Sequence, residues 1–246
     1  MQPLSCATKQ RRNAKRKQKK RTVNKLVVAT STVADGSMYN RNDHFDPEVF
    51  HNREKFLSSQ GITVAHTSRV RVNYGRTNFC EFIEVKEADK GGGMRGHDIA
   101  IADALITRNA QHALFLPIAD CVGAVFYDPK LHVLAVAHLG RHSLEQNGGF
   151  NIVDHLQRTY GCEPSALRVW LTPAPSKDNY QIWKLDNKGM KEATFEQLFK
   201  AGILVENITD NTAESDKDPN YFSYSAFLKG NRDKDGDYAI VAMMTD

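Results

Sequence analysis

The sequence predicts an α/β fold with a mixed sheet, on three observations. Apolar runs of strand length alternate with segments of helical spacing, no internal repeat appears, and several neighbouring strands are joined by connections too short for parallel crossovers. The chain has 246 residues, 41% hydrophobic and 25% charged, which is enough to bury a core without disulfide or metal staples. We expect a tail over residues 1–24 followed by a single domain over residues 25–246.

The elements follow in order. Lys25–Thr30 (KLVVAT) reads as the first strand, and a polar loop runs on to Asp43. Asp46 caps a helix with Pro47 at its first position; Val49, Phe50, Arg53, Phe56 and Leu57 recur at helical spacing before a stop at Gly61. Strands are expected at Ser68–Tyr74 and Phe79–Lys86, and Gly91, Gly92 and Gly93 form a loop that matches no phosphate-binding fingerprint. Ile99–Arg108, His112–Ile118, Val122–Tyr127 and His132–Ala137 make up the most apolar region and read as buried strands. A helix at Asn151–Arg158, a strand at Ala166–Leu171, a helix at Lys188–Lys200 ending near Gly202 and a closing strand at Tyr238–Met243 complete the chain.

The formal charge of +4 is unevenly placed. Nine of the cations lie between Lys9 and Arg21 with no acid among them, so the rest of the chain is net acidic. Such a run lacks the apolar residues needed to pack, and disorder is expected there. It offers nonspecific polyanion contact through counterion release, without interleaved aromatics for base stacking. No stretch is long and apolar enough for a transmembrane segment or a signal peptide, so a cytoplasmic location is expected. Cys6, Cys80, Cys121 and Cys162 form no close pair, which argues against a disulfide framework.

The chemistry-bearing stretch is Ile118–Gly140. Cys121 and His138 stand at the outer ends of two apolar strands around Asp128-Pro129-Lys130-Leu131. In an antiparallel hairpin whose even-length loop is centred between Pro129 and Lys130, Cys121 lies directly opposite His138. Opposed residues share a face with Cβ atoms roughly 4.5–5.5 Å apart, near enough to share a metal or exchange a proton. Pro129 cannot adopt the positive φ of a type I′ turn, so a four-residue loop is expected. The pair supports two chemistries, a metal site with further ligands or a cysteine nucleophile with a histidine base. A buried cysteine beside a hydrogen-bonded histidine is the reading without function.

The same stretch resembles the laccase-domain family, also called multicopper polyphenol oxidases, members of which have been reassigned as zinc-dependent purine nucleoside phosphorylases. Ile118-Ala119-Asp120-Cys121 resembles the family's T-A-D-C, and His138-Leu139-Gly140-Arg141-His142-Ser143 its H-A-G-W-R-G. Asp103–Thr107, the Asp46–Gly61 helix, Leu171–Trp183 and Phe222-Ser223-Tyr224 resemble further family motifs in the same order. The resemblance implies an α/β fold shared with certain cysteine hydrolases and a zinc held by one cysteine and two histidines. It also implies phosphorolysis of adenosine, inosine, guanosine or methylthioadenosine, with some adenosine deamination. Cys121 and His138 match two metal ligands, Asp120 joins them as a catalytic candidate, and Arg141, His142 and Asn73 are candidates for binding the nucleoside and phosphate.

The third ligand of that pattern comes from Q-V-H-G, where this chain reads Arg71-Val72-Asn73-Tyr74-Gly75. Asn73 or Tyr74 takes the histidine's place, and His66 and His97 are the loop histidines that could substitute. The family's T-T-R arginine is replaced near Thr32, its W-R pair by Arg141-His142, and the arginine of F-S-Y-R by Ser225. Two other readings therefore stand beside the phosphorylase: a metal-free Cys121/His138 hydrolase or transferase, and a catalytically degenerate nucleoside-binding or protein-interaction module. Copper-dependent phenol oxidation ranks last, because one cysteine and one matched histidine cannot build several copper sites.

Overall fold

A computed structural model describes residues 26–96 and 101–245. The basic run of residues 1–24, His97 and the first residues of the expected strand at Ile99 lie outside the described residues. In chain order the elements are β1 (Leu26–Thr30), α1 (Pro47–Ser59), β2 (Thr67–Arg69), β3 (Phe82–Glu84), β4 (Ala104–Thr107) and β5 (Ala113–Ile118). They continue with β6 (Val122–Asp128), β7 (Val133–Leu139), α2 (Arg141–Glu145), α3 (Gly148–Tyr160), β8 (Arg168–Leu171), β9 (Gln181–Ile182) and β10 (Lys188–Gly189). The last are α4 (Met190–Lys200), β11 (Ile208–Asp210), α5 (Tyr224–Leu228) and β12 (Tyr238–Met244).

The expected mixed α/β architecture is present, as two stacked sheets with helices outside each. One sheet has the order β1-β12-β5-β2 and the other β11-β8-β6-β7-β4-β3; β9 and β10 form a small hairpin. Most pairings are antiparallel, while β2–β5, β3–β4 and β8–β11 are parallel. Between the sheets pack Leu114, Leu116, Tyr238 and Ile240 from one side and Leu105, Val125, Leu134 and Val136 from the other. The opposite face of the larger sheet, with Ala124, Phe126 and Ala135, is covered by Ile152, Val153 and Leu156 of α3 and by Ala193 and Leu198 of α4. The opposite face of the smaller sheet, with Phe115 and Val241, is covered by Phe56 and Leu57 of α1 together with Met38 and Met94. Strands β5, β6, β7 and β12 thus bury both faces, which is why their sequences are continuous apolar runs rather than alternating ones.

Helix α1 starts as its sequence dictates. Asp46 accepts the Glu48 backbone N–H at 2.8 Å, Pro47 opens the first turn, and Gly61 follows at φ +71°. The strands expected at Ser68–Tyr74 and Phe79–Lys86 are shorter, three residues each, and their remainders lie outside regular strands. The helix expected from Lys188 begins at Met190, because Lys188 and Gly189 pair with β9.

The hairpin register differs from the sequence expectation. Its loop has four residues, as expected, but Asp128 pairs with Val133 and Gly123 with His138, so the centre falls between Lys130 and Leu131. The cause is local. Asp128 Oδ1 accepts the backbone N–H groups of Lys130 and Leu131 at 2.8 and 2.9 Å, and His132 closes the loop at φ +55°. Cys121 is therefore not opposite His138. The shift is two residues, and an even shift leaves every side chain on its original face. Among the described residues, no helix is long and apolar enough to cross a membrane.

Candidate active site

The site is built at one corner, where β5 turns into β6. Asp120 makes that turn at φ +74°, a conformation that costs any residue with a Cβ unless its surroundings hold it. Here they do: its carboxylate accepts from Ser223 Oγ at 2.6 Å, the Ser225 backbone N–H at 2.6 Å and Ser215 Oγ at 3.1 Å. Three donors thus converge on one buried carboxylate. Asp120 fastens the segment before α5 to the β5–β6 corner and presents Cys121 as the next residue.

His138, next to last in β7, stands beside it. Its backbone N–H donates to the Asp103 carbonyl at 2.7 Å, and Asp103 is itself held by Arg76 at 2.9 Å and by the Glu81 N–H at 3.0 Å. Gly140 allows the two side chains to meet. A Cβ on Gly140 would stand 2.9 Å from His138 Nε2 and 3.1 Å from Cys121 Sγ, so both groups flank the space that a glycine alone leaves open. The Arg141 backbone N–H, at the start of α2, and the Tyr74 hydroxyl both lie near the Cys121 sulfur. Burial, with Asp120 and Asp237 nearby, pushes the Cys121 thiol up to about 12, and burial with His142 nearby pushes the His138 imidazole down to about 4. Both are neutral in the protein alone, which does not favour a resting thiolate–imidazolium pair.

These groups open into a cavity of about 760 Å³, within the size range of a small-molecule site. Arg69, Arg71 and Arg141 bring positive charge to its wall, and Tyr39, Tyr180 and Tyr224 bring aromatic surface. Arg69 is buried, with its Nε–H on the Gly93 carbonyl at 2.6 Å and its guanidinium 5.7 Å from the centre of the Tyr39 ring. Burial lowers its pKa, the mark of a cation removed from water without an acid alongside that cancels the cost. Arg41 is differently committed. It bridges Asp235 at 2.7 Å and Asp237 at 2.6 Å and lies over Tyr224 at 4.3 Å. Burial pushes the Asp237 carboxyl up to about 6 despite that pairing.

Of the residues singled out in the sequence, Cys121, His138, Asp120, Arg141, His142, Asn73 and Tyr74 all border this one cavity. His66 does not; it is exposed on the turn before β2. Arg41, Arg69, Tyr39, Tyr180 and Asp237 escaped the sequence reading. Arg69 and Arg71 carried a signal, since two arginines at alternate positions of SRVRV project to one face of an extended segment. Arg41 and Asp237 carried none, because they are 196 residues apart and meet only in the fold.

The model of the family described as multi-copper polyphenol oxidoreductase laccase matches residues 37–188, more than half of the chain and the whole of the Cys121–His138 stretch. The chain belongs to this family. Two curated relatives carry the name purine nucleoside phosphorylase: YlmD of Bacillus subtilis strain 168, 30% identical over 101 residues, and a Corynebacterium glutamicum protein, 27% identical over 147 residues. Those matches span 40% and 58% of this laccase-family chain but only 36% and 56% of the relatives' own lengths. The fold is shared with the Bacillus licheniformis hypothetical protein YfiH, at a TM-score of 0.76 and 20% identity over 89% of this chain and 93% of that one. It is shared equally with YlmD from Geobacillus stearothermophilus, at 0.75 and 18% over 92% and 93%.

A family described by its copper invites a test of what metal this laccase-family site could hold. A catalytic zinc takes three protein ligands and an open position. Cys121 and His138 offer sulfur and imidazole side by side. The third position does not follow. Asn73 Oδ1 turns back to accept the Gly75 N–H at 2.9 Å, and Tyr74 sets its ring edge-on to His138 with centroids 6.2 Å apart. His142 stacks on Phe79 at 4.7 Å and shares Nε2 with Arg141 at 3.2 Å. Among the described residues, no three His, Cys, Asp or Glu side chains are grouped to hold an ion. Among the described residues, nothing offers the third ligand of a zinc centre.

Proposed function

We propose that this protein is a purine nucleoside phosphorylase-like enzyme that cleaves adenosine, inosine, guanosine or methylthioadenosine with phosphate in the cavity beside Cys121 and His138. The observation that carries the reading is the joining, in one cavity, of the family's Cys–His corner with a cationic wall and an aromatic wall. Phosphorolysis needs both. An oxygen of hydrogenphosphate forms a bond to C1′ of the ribose as the C1′–N9 bond breaks; the purine leaves with that bond's electron pair and receives the proton that the phosphate carried.

Arg69, Arg71 and Arg141 are suited to hold the phosphate, since fixed cations in a partly dry wall stabilise an anion without reorganising at the moment of reaction. Tyr39, Tyr180 and Tyr224 offer faces on which a purine stacks. Cys121 and His138 line the same cavity, and Asp120 holds the corner that presents Cys121. The two relatives named purine nucleoside phosphorylase support the reaction class, and the choice among nucleosides is left to measurement.

The test is a panel of the four nucleosides incubated with phosphate, with free base followed by chromatography, for the native protein and for Cys121→Ser and Arg141→Gln. Base release is expected with at least one nucleoside, falling sharply in Cys121→Ser, and with a raised KM for phosphate in Arg141→Gln. Base release that is unchanged in both variants would remove the site from the reaction. Ammonia released from adenosine with the glycosidic bond intact would favour deamination instead.

A further inference from the structure

Among the described residues two carboxylates border the cavity, Asp120 and Asp237, and they are engaged differently. Both oxygens of Asp120 are taken up by Ser215, Ser223 and the Ser225 N–H. Asp237 is as deeply buried, at 5% exposure, but only its Oδ1 is engaged, by Arg41 at 2.6 Å. Among the described residues no donor bonds to its Oδ2, and that oxygen is left facing the cavity that the residue lines. The backbone on either side is fixed. The Asp237 N–H donates to Ser37 Oγ at 3.1 Å, and its carbonyl accepts the Met38 N–H at 2.8 Å. Arg41 is tied to Asp235 at 2.7 Å and lies over the Tyr224 ring, so it cannot swing to cover the second oxygen without giving up those contacts. Asp237 directly precedes Tyr238, which pairs with Ile118 at the end of β5, and so stands beside the corner that presents Cys121.

A buried carboxylate oxygen without a protein donor is costly unless a ligand supplies one. The group that meets it must donate a hydrogen and carry no negative charge, so phosphate belongs at the arginines and not here. Purine edges do not meet that requirement in common. Inosine and guanosine carry an N–H at N1, where adenosine and methylthioadenosine have a bare nitrogen, and methylthioadenosine lacks the 5′-hydroxyl as well. The 2′- and 3′-hydroxyls of the ribose are the donors that all four share. We infer that Asp237 Oδ2 accepts hydrogen bonds from the 2′- and 3′-hydroxyls of the substrate, and so makes this cavity select ribonucleosides over deoxyribonucleosides. This role of Asp237 rests on the phosphorylase reading and adds to it a substrate-binding residue and a preference. Arg41 is a positioning residue: by holding Oδ1 it turns the two lone pairs of Oδ2 to the two hydroxyls.

The experiment reads binding as well as turnover. Full-length protein at about pH 8, where a carboxyl with a pKa of about 6 is ionised, is titrated by calorimetry without phosphate. The ligands are inosine, 2′-deoxyinosine and 3′-deoxyinosine, and base release with phosphate is followed in parallel. The native protein is expected to bind inosine about 10–100-fold more tightly than either deoxynucleoside, the range of one hydrogen bond to a charged group. Asp237→Ala should bind all three with equal, weak affinity. In Asp237→Asn, of the same shape, Arg41 takes the amide oxygen and turns the NH2 toward the cavity, so the preference should vanish there as well. Native protein that binds the three alike would overturn the inference, as would a folded Asp237→Ala that keeps the preference. Binding without preference would end this role of Asp237 and leave phosphorolysis standing. Preference without base release would do the reverse, and no binding by any of the three would remove both.

Discussion

Single residues at the corner carry unequal loads. Gly140 has an ordinary φ of −84°, so its need for glycine is one of space alone. Gly140→Ala would set a methyl 2.5 Å from His138 Cε1 and 3.1 Å from Cys121 Sγ and drive the two side chains apart. We expect turnover to fall by roughly a hundredfold, as for a displacement of about 1 Å in a reacting group, with the far-ultraviolet circular dichroism unchanged. Asp120 is the opposite case. Removing its carboxylate strands two serine hydroxyls and a backbone N–H around a strained turn, and Asp120→Ala should cost on the order of 3 kcal/mol of stability in urea unfolding. A loss below about 1 kcal/mol would show that the segment before α5 is not held from this point. The Cys121–His138 pair was legible from its place at the ends of two apolar strands, though in a register two residues off, and Asp120 entered only through the family resemblance. Asp237 and Arg41 were not, since an ion pair closed across 196 residues leaves no local pattern.

At the scale of elements, the β6–β7 hairpin shows how a correct local rule reaches the wrong register. Pro129 excludes a type I′ turn and makes a four-residue loop the right length, but it does not say which residue begins the loop. Asp128 decides that by accepting two N–H groups from within the loop, which draws it into the last pair of the ladder. Asp128→Ala should therefore destabilise the protein by about 1–2 kcal/mol, measured by chemical unfolding, while leaving the nucleoside KM unchanged because the loop lies at the far end of the strands from Cys121. A fall in activity equal to that of Gly140→Ala would mean that register rather than contact sets the site. The short strands β2 and β3 were over-read for a related reason: SRVRVNY alternates as a strand should, yet the chain leaves the sheet after Arg69 to deliver Tyr74 to the cavity.

Across the whole molecule, the layering of helix, sheet, sheet and helices puts four strands in a fully apolar setting, and this was the most legible part of the sequence. Continuous apolar runs announced buried strands; they did not announce that those strands belong to two sheets, because a strand buried on both faces reads the same in either. The cavity lies at the end of this stack, and its charges leave a mark on overall stability. Asp237 titrates near 6 in the fold, above the ~3.9 of an unfolded aspartate. Between those values the native chain retains a proton that the unfolded chain has released, so this group makes stability fall as pH rises across that window. Asp237→Asn should flatten the decline relative to the native protein when unfolding is followed from about pH 4 to pH 6; a parallel decline in both would place the titration elsewhere.

On the proposed function, the Cys121 cavity brings phosphate to a nucleoside. The most direct measurement incubates the purified protein with inosine, with and without phosphate, and counts hypoxanthine and ribose 1-phosphate together. Both products are expected in equal amounts, and only when phosphate is present. Hypoxanthine formed equally well without phosphate, or accompanied by free ribose, would contradict it.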